Sequence, residues 1–133
     1  MDKIIKYGLV IIRDGKLLIN RKKGTNLFLL PGGKPKKGES VINCLIREIK
    51  EEHKVRLIKE GISLIGEYED IAANEPNTLI SIRVYGGDIK DEPVPSSEIE
   101  EQRWFGIKDN TKILSPVLKN YILPELIRQG LIK

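Results

Sequence analysis

Hydrophobic residues near the start of the chain are arranged as in β-strands. Two apolar, β-branched runs are separated by Arg13-Asp14-Gly15, and an Asp-Gly pair between such runs predicts a β-hairpin. A third, short strand is predicted over 26–33, where a proline and two glycines end it. Further strands are predicted over 62–69, 78–87 and 103–107.

The spacing of apolar residues becomes helical after Ser40, a good N-cap residue. The apolar positions that recur at this spacing are Val41, Ile42, Leu45, Ile46 and Ile49. A second helix is predicted after Ser115, which is followed by a proline at the first helical position. We expect that helix to break or kink at Pro124.

Strands on both sides of one internal helix, with a second helix at the end, predict an α/β fold. Its mixed β-sheet would be covered on both faces by helices. The length of 133 residues is typical of a single domain, here 1–133. The order of the strands is left open.

Composition narrows the classes of protein. Hydrophobic residues make up 40% and charged residues 32%, which is typical of a globular chain, and no run approaches the roughly 20 apolar residues of a membrane span. The single cysteine, Cys44, excludes an internal disulfide and favours the cytoplasm. The net charge of +4, with only 5% aromatic residues, disfavours a nucleic-acid partner. We expect a monomer or homodimer.

Three carboxylates lie on one stripe of the first helix. At 100° per residue, Glu52 and Glu51 lie about 40° and 60° to either side of Glu48. Arg47 alone cannot neutralise all three, whereas a hard divalent cation such as Mg²⁺ prefers such oxygen ligands. A solvated acidic face is the alternative that this pattern leaves open.

The segment around this helix resembles the Nudix box. That pattern is Gly, five residues, Glu, seven residues, then Arg-Glu-apolar-any-Glu-Glu-any-Gly-apolar. Eight of the nine constrained positions match: Gly33, Glu39, Arg47, Glu48, Ile49, Glu51, Glu52 and Val55. The exception is Lys54, which stands where the family has glycine. A near match to a P-loop fails because Glu39 occupies the place of its lysine.

The resemblance implies a Nudix α/β/α sandwich, with the box helix and the C-terminal helix packed on a mixed sheet. It also implies a MutT-like hydrolase, dependent on Mg²⁺ with Mn²⁺ as a substitute, that cleaves a nucleoside di- or triphosphate derivative by attack of water on phosphorus. Two alternatives are a non-catalytic nucleotide sensor with the same fold and a pyrophosphohydrolase of RNA 5′ ends. The sensor is disfavoured because all the box glutamates are present.

The resemblance also assigns roles to individual residues. The implied metal ligands are Gly33, Glu48, Glu51 and Glu52, while Arg47 orients the cluster and Glu39 holds the loop onto the helix. Catalytic glutamates are expected in the box (Glu51 or Glu52) and in the loop before Trp104, where Glu98 is the first choice as base and Glu101 the reserve. The implied phosphate contacts are Arg21 and Lys34.

Several residues outside the box remain as weaker expectations. The loops 72–77 and 90–97 should select the substrate, and Tyr7, Phe28 or Tyr85 could stack on a base, although such aromatics are more often in the core. Asn120 is a further candidate for reading the base by resemblance to MutT-like members. We expect a partly charged His53 at the end of the helix and a buried Cys44. Because lysine is strained in the left-handed conformation, we expect the helix to end differently at Lys54.

Overall fold

Seven β-strands, two α-helices and two irregular helical turns form the fold. The computed structural model describes residues 1–133. In chain order, the elements are β1 (Asp2–Val10), β2 (Ile12–Arg13), β3 (Lys16–Lys22), β4 (Gly32–Gly33), α1 (Val41–His53), β5 (Arg56–Ile71), β6 (Thr78–Lys90), β7 (Ile99–Phe105), a 3₁₀ turn (Thr111–Ile113), a π-helical turn (Leu118–Ile122) and α2 (Leu123–Arg128). No helix is both long enough and apolar enough to cross a lipid bilayer.

The strands form two sheets. The larger has the order β4-β1-β6-β5 and the smaller β2-β3-β7. Strands β1 and β6 are parallel, while β1 and β4 are antiparallel, so the larger sheet is mixed as predicted. The predicted hairpin joins β2 to β3, and Asp14 and Gly15 at its turn both have positive φ, as a two-residue turn of this kind requires.

Alternate residues of the strands face two separate hydrophobic clusters. On one side, Leu9 and Leu18 pack with Leu45 and Ile49 of α1. On the other side, residues of the same strands pack with the C-terminal helical segment in a larger cluster that includes Val10, Leu17, Ile19, Leu118, Ile122 and Leu126. This period of two explains how one set of strands carries a helix on each face.

The predicted strand over 26–33 is largely wrong. Residues 26–30 form only isolated bridges, Asn20 with Leu29 and Phe28 with Leu114. Phe28 instead exchanges backbone hydrogen bonds with Ile113 and Ser115. The glycines expected to end the strand form the short β4, which pairs with Tyr7 and Gly8 of β1. This segment therefore runs between β3 and the residues around Leu114, and it leads into Gly33, the first residue of the box.

The C-terminal helix continues past Pro124 without a break. It becomes helical after Ser115, as predicted, and widens into the π-helical turn, where the Leu123 N–H bonds the Leu118 carbonyl. A proline cannot donate a backbone hydrogen bond, and the widened turn accommodates it at the start of α2.

Helix α1 begins and ends at well-defined caps. The Ser40 hydroxyl accepts a hydrogen bond from the Asn43 N–H, as its predicted N-cap role requires. At the other end Lys54 is left-handed, with φ 56° and ψ 35°, and its N–H bonds the Lys50 carbonyl. The expected change of exit is therefore wrong, because the chain keeps the glycine-type ending and Lys54 accepts its strain.

Replacing Lys54 with glycine should stabilise the protein by about 1 kcal/mol, because glycine has no Cβ to strain in the left-handed region. Urea unfolding at equilibrium measures this change. The exposed Lys50 in the last turn of α1 provides the control, since Lys50→Gly should destabilise by about 1 kcal/mol. Equal or lower stability of the Lys54→Gly variant would show that Lys54 carries no strain.

Candidate active site

Helix α1 and β4 bring Glu48 against the backbone of Gly33. A Cβ built on Gly33 would lie 2.6 Å from the carboxyl carbon of Glu48, so any larger residue would displace this carboxylate. Burial raises the pKa of Glu48, an effect that the adjacent Arg47 guanidinium opposes. The box glycine thus makes room for a carboxylate directly beside the main chain.

Arg47 joins three parts of the box. Its Nε and Nη2 donate to the two carboxylate oxygens of Glu39, at 2.8 and 2.9 Å, and its Nη1 donates to Glu48 at 2.6 Å. Nη2 also reaches the Lys34 carbonyl at 3.2 Å. The hydrogen bonds from Arg47 lower the pKa of Glu39 to about 2. Arg47 therefore orients Glu48, while Glu39 accepts the Lys36 N–H and ties the loop to the helix.

Glu52 is the most buried of the box carboxylates, at 2% exposure. Burial raises its pKa to about 8, despite the hydrogen bond that it accepts from the Gly32 N–H at 2.9 Å. Glu51, by contrast, has a half-exposed side chain that lies 3.7 Å from Arg47. The stripe predicted from the sequence thus contains one buried, one intermediate and one exposed carboxylate.

A polar cleft of about 280 Å³ lies above these residues. No hydrophobic side chain lines it, and its lining residues are Lys6, Lys22, Gly32, Gly33, Lys34, Glu48, Glu75 and Glu98. Glu52 lines a smaller recess that shares Lys6, Lys22 and Gly32 with the cleft. Carboxylates and lysines therefore meet in one solvent-accessible space.

Glu98 and Glu101, the two candidate bases in the loop before Trp104, are separated by the structure. Glu98 lines the polar cleft and lies 3.5 Å from the Lys22 ammonium. Glu101 instead lies on β7, where it pairs with Arg103 and Arg21, and the hydrogen bond from Arg103 lowers its pKa. Of the two, only Glu98 is placed beside the box carboxylates.

The basic residues at the cleft differ from those expected. Lys34 lines it, but Arg21 does not, because its guanidinium donates to the Thr25 carbonyl at 2.9 Å and pairs with Glu101 at 3.4 Å. Lys6 and Lys22 supply positive charge there instead. Burial, followed by the charge of Lys22, lowers the pKa of Lys6. In the sequence, the only sign that Lys6 has a function is that it interrupts the apolar run of β1.

The loop expected to select the substrate borders a second recess. Four of its residues, Ala72, Ala73, Asn74 and Glu75, line a space of about 210 Å³ that also contains Lys6 and Lys22. Asn120, however, is exposed and donates to Asp70 at 2.9 Å. Phe28 is buried in the larger cluster, whereas Tyr7 and Tyr85 contact each other edge to face beside the smaller one.

The family model for the NUDIX domain matches residues 4–126. The chain belongs to the Nudix hydrolase family. It is 30% identical over 123 residues to an ADP-ribose pyrophosphatase of Methanocaldococcus jannaschii, covering 85% of this chain and 69% of that protein.

Solved Nudix structures share the fold. A MutT Nudix hydrolase from Burkholderia pseudomallei superposes with a TM-score of 0.74 at 26% identity, over 87% of this chain and 92% of that one. A Nudix hydrolase from Nitrosomonas europaea gives a TM-score of 0.77 at 22% identity, over 98% and 92% of the two chains. The α/β fold with a mixed sheet and two helices is therefore confirmed as a Nudix fold.

Nudix hydrolases generally use divalent metal ions, and the donor set of this box fits one. Its side-chain donors are carboxylate oxygens, which suit a hard cation, and Glu48 lies against the Gly33 main chain, where a side chain would otherwise stand. No three His, Cys, Asp or Glu side chains form a ready-made metal cluster. Glu48 instead accepts a hydrogen bond from Arg47, and Glu52 accepts one from the Gly32 N–H.

The surroundings of His53 disfavour the partly charged imidazole that we expected. His53 is fully buried, and burial lowers its pKa, which outweighs the favourable position at the C-terminus of the helix. Cys44 is buried as predicted, and burial raises the pKa of its thiol to about 11.

The metal-free protein should lose stability through Glu52 as the pH rises from about 4.5 to 8. The folded pKa lies above the unfolded value, so the folded state holds a proton that the unfolded state releases. The free energy of unfolding should therefore fall in the wild type relative to Glu52→Gln, by at most about 1.4 kcal/mol per pH unit. Urea unfolding in a chelator measures this difference.

The exposed Glu60 on β5 provides the control for that measurement. Glu60→Gln should follow the wild type across the same pH range. A constant difference between wild type and Glu52→Gln would contradict the assignment of a buried, protonated Glu52.

Proposed function

We propose that this protein is a Mg²⁺-dependent pyrophosphohydrolase that cleaves a nucleoside diphosphate linked to another group. The observation that carries this proposal is the polar cleft, in which three lysines meet the carboxylates of Glu48 and Glu98 beside the Nudix box. Lysines attract the phosphate oxygens, whereas clustered carboxylates attract a cation. A diphosphate with a bound cation satisfies both.

Groups in the cleft and beside it would divide the tasks of this reaction between them. Glu48, Glu51, Glu52 and the Gly33 carbonyl would hold the cation, with Arg47 fixing the orientation of Glu48. When bound, the cation offsets the charge on the diphosphate and makes water a better nucleophile. Lys6, Lys22 and Lys34 would hold the phosphate oxygens. Glu98 would accept the proton of the water that attacks phosphorus as the bridging P–O bond breaks.

ADP-ribose is the first substrate to test. The relative from Methanocaldococcus jannaschii named ADP-ribose pyrophosphatase supports this choice. The recess beside the loop 72–77 adjoins the cleft and could receive one of the two groups that flank the diphosphate. Substrate choice would then depend on this loop, as expected from the sequence.

With Mg²⁺ present, hydrolysis should occur for at least one member of a panel of ADP-ribose, sugar nucleotides, dinucleoside polyphosphates, dNTPs, oxidised dGTP and capped RNA. Glu52→Gln should lower kcat by roughly 100-fold or more, because it removes a ligand of the cation. Phosphate release and chromatography of the products measure both.

The control for this experiment is again Glu60→Gln, which should retain wild-type turnover. Turnover that survives in Glu52→Gln would contradict the catalytic role of the box. Nucleotide binding without turnover in the wild type would instead favour the sensor alternative.

Replacing Lys6 with methionine should raise KM for the diphosphate substrate about tenfold, because the substitution removes a charged contact from a partly desolvated cleft. Steady-state kinetics measures this change. Lys3 lies on the same strand but pairs with Glu69 in solvent, so Lys3→Met is a matched control with unchanged KM. If the two variants behave alike, Lys6 does not bind phosphate.

A further inference from the structure

A chain of buried and part-buried hydrogen bonds lies behind the carboxylates, at the end of α1. The His53 side chain is fully buried, with its Nε2 at 2.9 Å from the Asn20 amide nitrogen and its Nδ1 at 2.7 Å from the Gln102 amide oxygen. The Gln102 amide nitrogen in turn donates to the Pro93 carbonyl at 2.7 Å. The chain thus connects β3, α1, β7 and the loop that precedes β7.

The Pro93 carbonyl at the end of this chain determines which group donates in each hydrogen bond. A carbonyl can only accept, so the nitrogen of the Gln102 amide faces Pro93 and its oxygen faces His53. His53 must therefore carry its proton on Nδ1 and accept from Asn20 at Nε2. Both ring nitrogens of His53 and both polar atoms of the Gln102 amide are paired, which limits the cost of burying them.

The loop between β6 and β7 is attached to α1 by two further bonds. The Val94 N–H donates to the His53 carbonyl at 3.0 Å, and the Ser96 N–H donates to the Glu52 carbonyl at 2.9 Å. Ser97 then turns through a left-handed conformation with φ 56°, directly before Glu98. The position of Glu98 in the cleft is therefore set by the last turn of the helix that carries the box.

We propose that His53 and Gln102 are positioning residues that hold the Glu98 loop over the box carboxylates. The role rests on the proposed function, because it concerns the placement of Glu98 as the base. His53 occupies a position that the box leaves free, and Gln102 lies outside the box. Neither residue touches the cleft, so both act through the backbone of the loop.

A double-mutant cycle tests this role. Gln102→Met should lower kcat about tenfold and change KM less than about twofold, because the substrate-binding lysines lie on other elements. In a Glu98→Gln background, the same substitution should have no further effect on kcat. An additive loss in the double variant would overturn the proposal, since it would show a general structural effect. The exposed Gln129→Met is the matched control.

Two substitutions at His53 separate its two hydrogen bonds. Asparagine places an amide nitrogen near the position of Nδ1 and can still donate to Gln102. Glutamine places an amide oxygen near Nε2 and keeps only the contact with Asn20. We expect His53→Asn to retain more of the wild-type kcat than His53→Gln, and the reverse order would overturn the proposal.

Amide hydrogen exchange in the metal-free protein provides a readout that does not depend on turnover. In Gln102→Met the Val94 and Ser96 amides should exchange faster than in the wild type, while the buried amide of Leu18 stays protected. Unchanged exchange at Val94 and Ser96 would overturn the proposal even in an active enzyme. If the wild type hydrolyses no diphosphate, the proposed function fails, and the exchange result alone decides whether Gln102 holds the loop.

Discussion

The site depends on the removal of the Glu52 carboxylate from water at the end of α1. A charged carboxylate in that position is costly, and a single hydrogen bond from Gly32 does not offset the cost, so its pKa rises. The neighbouring Glu48 and Glu98 carboxylates add to the repulsion. The folded protein therefore keeps a proton on Glu52 well above the usual pH range of a carboxyl group, and a cation bound beside it would displace that proton and stabilise the carboxylate.

Arg47 shows how the arrangement is kept in place. One guanidinium holds Glu39 and Glu48 at once, so it fixes the loop before the helix and the direction of one carboxylate. It leaves Glu52 untouched and meets the exposed Glu51 only at 3.7 Å. Arg47 therefore compensates only part of the negative charge of the box carboxylates. In a surface network, by contrast, each carboxylate has its own basic partner.

The sequence predicted those parts of the structure that depend on local chemistry. The Asp-Gly turn, the Ser40 cap and the stripe of glutamates depend on neighbouring residues, and the structure contains all three. Arg21 and Lys6 could not be placed in this way, because the partner of Arg21 is on β7 and Lys6 reaches the cleft through the pairing of β1. The conformation of Lys54 was missed because it depends on the burial of Val55 and Leu57 in the cluster beneath α1, which outweighs about 1 kcal/mol of local strain.

The pairing of β1 with β6 also affects how the protein folds. Asp2 lies opposite Thr78, and β3 lies opposite β7, so both sheets join residues that are far apart in the chain. Such pairings carry a large entropy of loop closure and are typical of slow folding. Lys6, Lys22 and Glu98 meet only when these pairings exist, whereas the hydrogen bonds of α1 join residues close in the chain. During synthesis the residues of α1 are therefore made well before those of β7, and the cleft beside the acidic helix is completed only after β7 has been added.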